Sequence, residues 1–246
     1  MKWKKGVSRE KMHPKNNLGA FFNGRTGRII KTTVILLAAV MLCVPGIMQR
    51  RAKAVQTGSM TDSKKIAITF DDGPHPYYTE QLLNGLKERG VKATFFVMGK
   101  HVELYPDLIE RMSEEGHLIG NHTYSHMQLN KGNGEAFKEE LIKTNGLIEE
   151  LTGQEVQYVR PPYGSWDKKF EKELNMFPVL WTIDPLDWCS DNVSGIVRKV
   201  TSKAKENSII LMHDEYKSTV TAALQIIDTL QDEGYEFVTV DELLFD

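Results

Sequence analysis

From residue 66 onward the chain alternates between short apolar runs and longer amphipathic stretches, and this alternation narrows its folding options more than any other feature. The expected strand and helix pairs are 66–70 with 78–89, 93–97 with 102–115, 117–119 with 135–151, and 156–159 with 166–174. They continue as 179–183 with 193–205, 209–212 with 220–233, and 236–239 with 241–244. Strands that follow one another through helices lie parallel, so seven such units predict an α/β fold with a parallel sheet and helices outside it. The span 65–246 is short for a full eightfold barrel of about 250 residues, so a distorted, reduced (β/α) barrel of about seven parallel strands is expected.

Barrel chemistry sits at the carboxyl ends of the strands. The polar clusters of this chain fall there: Asp71-Asp72 after the first strand, Asn121-His122 after the third and Arg160 after the fourth. Asp184 and Asp187 follow the fifth strand, and His213-Asp214 the sixth. One rim of the barrel is therefore expected to gather most ionisable groups capable of catalysis.

Composition limits what that rim can be. The chain has 246 residues, 41% of them hydrophobic and 26% charged, enough for one sizeable core. A net charge of -2 gives no support to a nucleic-acid partner. The two cysteines, Cys43 and Cys189, exclude a disulfide framework and a cysteine-rich zinc site, so any metal must be held by histidines and carboxylates.

The first 48 residues read differently. Lys2, Lys4, Lys5, Arg9, Lys11, Lys15, Arg25, Arg28 and Lys31 precede seventeen uncharged residues, 32–48, near the lower limit of about 17–25 for a spanning helix. This predicts a basic cytoplasmic arm at 1–31, an export or anchor helix at 32–48, a polar linker at 49–64 and a catalytic domain at 65–246 outside the membrane. Ala52-Lys53-Ala54 also fits a signal-peptidase site, so a retained signal anchor and a leader cleaved after Ala54 both match the pattern.

The motifs at the strand ends carry the chemistry. Asp71-Asp72-Gly73-Pro74 sets two carboxylates side by side in a sharp turn, which suits one to a metal and the other to a water beside it. The tetrapeptide alone fits a plain turn equally well. His122 and His126 stand four apart, on one face if the segment is helical, and two imidazoles with one carboxylate make a divalent-metal site with open positions. Arg160-Pro-Pro-Tyr163-Gly164 is a rigid turn whose guanidinium could orient an aspartate and whose Tyr163 N–H could face an oxyanion. His213 suits a general acid, and Trp188 and Leu211 a small apolar wall, although each of these segments by itself fits a structural role.

Taken in order, TFDDGP, HTYSH, RPPYG, DPLDW and LMHD resemble the five motifs of the polysaccharide deacetylase family, the NodB-homology carbohydrate esterases. The resemblance covers residues 65–246 and implies a distorted (β/α) barrel with one divalent ion, zinc first, with cobalt, nickel or manganese as alternatives. It implies Asp71 as general base, Asp72, His122 and His126 as metal ligands, and Arg160 as the group orienting Asp71. Tyr163 would offer its N–H to the oxyanion, His213 would protonate the leaving amine, and Trp188 and Leu211 would line the acetyl-methyl pocket. Asp184 would belong to the carboxylate network that either tunes His213 or fixes Arg160.

The expected reaction is hydrolysis of N-acetyl groups on an extracellular amino-sugar polymer, with peptidoglycan N-acetylglucosamine as first substrate and a bell-shaped pH profile. Chitin-type oligomers, an exopolysaccharide and acetylated xylan are the alternative substrates. A non-catalytic sugar-binding wall protein is the alternative from another class. The catalytic domain is expected to be monomeric, in the bacterial cell envelope, with no nucleic acid among its partners.

Overall fold

Strand β1, Lys64–Asp71, is buried along its last six residues, which its nearly unbroken apolar run requires of a strand covered on both faces. Its side chains divide by parity. Ile66, Ile68 and Phe70 join the main core beneath the helices, while Ala67 packs in a second cluster with Phe96, Val179 and Ile209. The computed structural model describes residues 63–245, which belong to one compact unit, Asp62–Asp246. The basic arm, the apolar segment at 32–48 and the linker up to residue 62 lie outside the described residues. Among the described residues, no helix is long and apolar enough to cross a membrane.

After β1 come α1 (Tyr78–Arg89), β2 (Thr94–Val97), α2 (Gly99–Leu104), α3 (Pro106–Glu114), β3 (Leu118–Asn121) and α4 (Gly134–Thr152). Then follow β4 (Tyr158–Val159), α5 (Lys169–Leu174), β5 (Phe177–Pro178), α6 (Val193–Thr201), β6 (Ile209–His213), α7 (Lys217–Asp232), β7 (Tyr235–Phe237) and α8 (Val240–Phe245). The seven-stranded sheet runs β5-β4-β3-β2-β1-β6, and β7 pairs with the amino-terminal end of β1. Every pairing is parallel. The sheet curls into a half-barrel, and on its open side, between β5 and β6, an isolated bridge joins Ile183 to Ile210. Register does functional work, because β1 and β6 align Asp71 with His213 at their carboxyl ends.

Two elements depart from the expected pattern. The helix expected at 102–115 is broken into α2 and α3, because Pro106 cannot donate an N–H and disfavours helical geometry at Tyr105, which sits at φ -135°, ψ 56°. The fifth strand is Phe177–Pro178 rather than 179–183. The carbonyls of Val179 and Leu180 accept bonds from the Arg160 side chain, so these two acceptors serve a buried cation, and the chain rejoins the sheet only at the Ile183 bridge to β6.

Candidate active site

Asp71 closes β1 with its carboxylate turned into the barrel mouth and only 3% exposed. Such a charge needs a partner, and Arg160 Nη1 donates to Asp71 Oδ1 at 2.9 Å. Arg160 itself is wholly buried and donates four hydrogen bonds. Nη1 also reaches Thr69 Oγ1 at 2.5 Å, Nε reaches the Val179 carbonyl at 3.0 Å and Nη2 the Leu180 carbonyl at 3.3 Å. The guanidinium lies 4.3 Å from the centre of the Phe96 ring, so it is held in position from several sides.

Asp72 turns the opposite way because its backbone is left-handed, at φ 72°. Its Oδ1 lies 3.3 Å from His122 Nε2 and 3.5 Å from His126 Nε2. Burial alone would raise the Asp72 carboxyl, but the approach of His122, with the charges of His213 and His126, outweighs it and brings the group down to about 2. The two histidines do not share a helical face. They lie in the loop after β3, and left-handed turns at Thr123 (φ 62°) and His126 (φ 65°) swing both rings toward Asp72. Glu140 on α4 supports that loop by accepting the N–H groups of Tyr124 and Ser125 at 3.2 and 3.0 Å, a role with no local sequence signal.

These residues fit a divalent cation. Asp72 Oδ1 is buried without a hydrogen-bond partner, and the ligand atoms of Asp72, His122 and His126 lie within 4.8 Å of one another. His122 Nδ1 donates to the Arg160 carbonyl at 2.5 Å, which leaves Nε2 as the free lone pair facing the carboxylate. One carboxylate and two neutral imidazoles are a borderline donor set that leaves further coordination positions open.

Beside Asp71, His213 ends the adjacent strand β6. Its Nδ1 donates to Asp187 Oδ1 at 3.0 Å, and its backbone N–H donates to Asp187 Oδ2 at 2.8 Å. Thr219 of α7 donates to the same Oδ2 at 2.8 Å. Burial would lower the imidazole, but the bond and charge of Asp187, helped by Asp71 and Asp72, raise it to about 9. The carboxylate bonded to His213 is Asp187 rather than Asp184. Asp184 Oδ1 accepts the Leu186 N–H at 2.8 Å, shaping the turn that presents Asp187, while Asp71 is the carboxylate that meets Arg160. Asp214, next to His213, faces away from the mouth, where Thr79 donates to it and burial raises its carboxyl to about 7. Gly73 is needed there, since a Cβ would come within 2.3 Å of Asp214 Oδ1.

A cavity of about 460 Å³ is lined by Asp71, Asp72, His126, Asp184, Leu211 and His213, among others. Trp188 stands at its edge, 53% exposed, and Leu211 forms buried wall. Tyr163, at φ 58° in the turn after β4, sets its ring edge-on to His126, with centroids 5.0 Å apart. Trp181 and Tyr216 also line the cavity, although neither stands out in the sequence as a site residue. All ten residues expected at the site line this cavity except Arg160, which is bonded to Asp71.

Residues 58–179 match the family model described as polysaccharide deacetylase. The chain is similar to peptidoglycan-N-acetylmuramic acid deacetylase PdaC of Bacillus subtilis, 40% identical over 182 residues, covering 74% of this chain and 39% of that protein. It is 39% identical over 181 residues to peptidoglycan-N-acetylglucosamine deacetylase PgdA of Listeria monocytogenes, again covering 74% and 39%. It thus spans about two fifths of the length of these curated relatives. The solved structure of B. subtilis PdaC superimposes with a TM-score of 0.71 at 40% identity, covering 74% of this chain and 90% of that one.

Proposed function

This chain belongs to the polysaccharide deacetylase family, and on that premise we propose that it hydrolyses N-acetyl groups of peptidoglycan, with N-acetylglucosamine as the sugar attacked. The observation that carries the reading is the pairing, at one barrel mouth, of Asp71 anchored by Arg160 with His213 anchored by Asp187, in one cavity with Asp72, His122 and His126. A structural metal site needs no such base and acid, nor does a protein that only binds sugar.

Asp72, His122 and His126 would hold a divalent ion, zinc first, which polarises the acyl carbonyl and acidifies a water molecule. Asp71 then takes a proton from the attacking water, its carboxylate kept aligned by Arg160. The Tyr163 N–H meets the developing oxyanion. His213 gives its proton to the departing nitrogen, and the Asp187 bond keeps that proton in place at neutral pH. Trp188 and Leu211 wall the acetyl methyl and exclude water around it.

The substrate reading draws on relatives acting on both sugars of peptidoglycan, one named for N-acetylmuramic acid and one for N-acetylglucosamine. The apolar run at 32–48 behind nine basic residues supports a place at the outer face of the membrane, against the wall. The test is treatment of intact peptidoglycan with the purified chain, muramidase digestion, and mass spectrometry of the fragments, with chitooligosaccharides and acetylated xylan in parallel. Loss of acetyl from the glucosamine residue is the expected result. Loss only from the muramic acid residue reassigns the sugar, and acetate from xylan alone rejects the reading.

A further inference from the structure

We propose that His101 is a positioning residue for the metal-ligating set, and that its turn, Met98–His101 at the start of α2, clamps both halves of that set together. The proposal rests on the reading of Asp72, His122 and His126 as ligands.

Three non-glycine residues in or between those ligands are left-handed: Asp72 at φ 72°, Thr123 at φ 62° and His126 at φ 65°. Each such conformation is sparsely populated and persists only where its surroundings over-determine it. One turn provides much of that constraint. Toward the aspartate, His101 Nδ1 lies 2.7 Å from the Asp72 carbonyl, and the Met98 N–H donates to the Gly73 carbonyl at 3.1 Å. Toward the histidines, the Gly99 N–H donates to Thr123 and the Lys100 N–H to Tyr124, both at 3.0 Å.

The first N–H groups of a helix have no partner within it, so the start of α2 has donors to spare for the histidine loop. The approach is close: a Cβ on Gly99 would come within 2.5 Å of Thr144 Oγ1 and 2.6 Å of the Tyr124 ring. Three of the four bonds come from backbone and are open to most sequences with this turn. The fourth needs a side-chain donor, and His101 supplies it.

A carbonyl oxygen only accepts, so Nδ1 of His101 carries the hydrogen. Holding that carbonyl fixes the Asp72 peptide, and the peptide sets where the carboxylate points. Without the donor, Asp72 can relax from φ 72° toward ordinary backbone and carry Oδ1 away from the two imidazoles. His101 does not line the catalytic cavity, so its effect is transmitted through Asp72 rather than through substrate.

The test measures zinc affinity of the purified full chain by competition with a chromogenic chelator, for the parent, His101→Phe and His101→Asn. Phenylalanine keeps a ring and loses the donor, whereas asparagine places an amide N–H two bonds beyond Cβ, where Nδ1 stands. His101→Phe is expected to bind zinc about 10–100-fold more weakly, the usual cost of removing a group that orients a ligand. His101→Asn is expected to bind close to the parent, and His101→Phe to recover turnover at saturating zinc with KM unchanged. Should His101→Phe fail to fold, His101→Gln replaces it, since its amide lies one methylene too far and the same loss is expected. Equal affinity in parent and donorless variant, or an equal loss in His101→Asn, overturns the proposal. A parent that binds no zinc overturns it together with the metal reading.

Discussion

Asp187 grips His213 twice, accepting the imidazole Nδ1–H on Oδ1 at 3.0 Å and the backbone N–H on Oδ2 at 2.8 Å. The first bond sets which ring nitrogen faces the cavity and favours the charged imidazole, and the second fixes where the ring stands. In the proposed mechanism Nε2 is thereby left to face substrate with a proton to give.

Replacing that carboxylate should therefore change acidity before it changes shape. Asp187→Asn keeps the volume and one acceptor but removes the charge that raises His213 to about 9. The alkaline limb of kcat/KM is expected to move to lower pH, and the plateau to fall by about 10²-fold, the lower end of what general acid catalysis contributes. A pH–rate series on parent and variant checks this. An unmoved alkaline limb would remove Asp187 from the acid's control.

Stability should carry the same signature. The His213 pKa in the folded chain, about 9, lies above its ordinary value of 6.5, so the folded state binds this proton more tightly than the unfolded chain. The resulting stabilisation is complete below pH 6.5 and disappears as pH rises through 9. Its upper size is on the order of 3 kcal/mol, because a tenfold difference in proton affinity corresponds to about 1.4 kcal/mol. Thermal melts with chelator present should show the parent losing more stability over this range than His213→Gln, and parallel losses would contradict the assignment.

Arg160→Lys tests the support of Asp71. A lysine has no planar fork to serve Asp71, Thr69 and the Val179 and Leu180 carbonyls together. The variant is expected to lose about 1–3 kcal/mol of stability, the cost of leaving a buried acceptor without its donor, and most of its activity. Chemical denaturation measures the first and acetate release the second. A fully stable Arg160→Lys would mean that the fan of bonds is not needed.

Much of this arrangement was legible in the sequence, because strand-to-helix alternation is local and parallel β/α units place their strand ends on one rim. That logic puts Asp71, Asp72, His122, Arg160 and His213 at strand ends of one rim, and the structure has them there. It failed where a tertiary contact overrode local pattern. HTYSH has helical spacing, yet left-handed Thr123 and His126, held by Glu140 and the start of α2, bring the rings together in a loop. Residues 179–183 have the apolar character of a strand, yet Arg160 takes two of their carbonyls. Asp184 and Asp187 look alike in DPLDW, and only the fold shows that the second is buried against His213 while the first caps its own turn. His101 gives no local sign of its contact with Asp72, twenty-nine residues away in the chain.

The central claim, that Asp71 acts beside a cation held by Asp72, His122 and His126, is tested most directly by acetate release from peptidoglycan. The parent would be measured before chelation, after it and after zinc is restored, with Asp71→Asn alongside. Release by the parent is expected to stop on chelation and return with zinc, while Asp71→Asn binds zinc yet turns over at least about 10²-fold more slowly. Release that survives chelation, or that Asp71→Asn sustains at the parental rate, would contradict the claim.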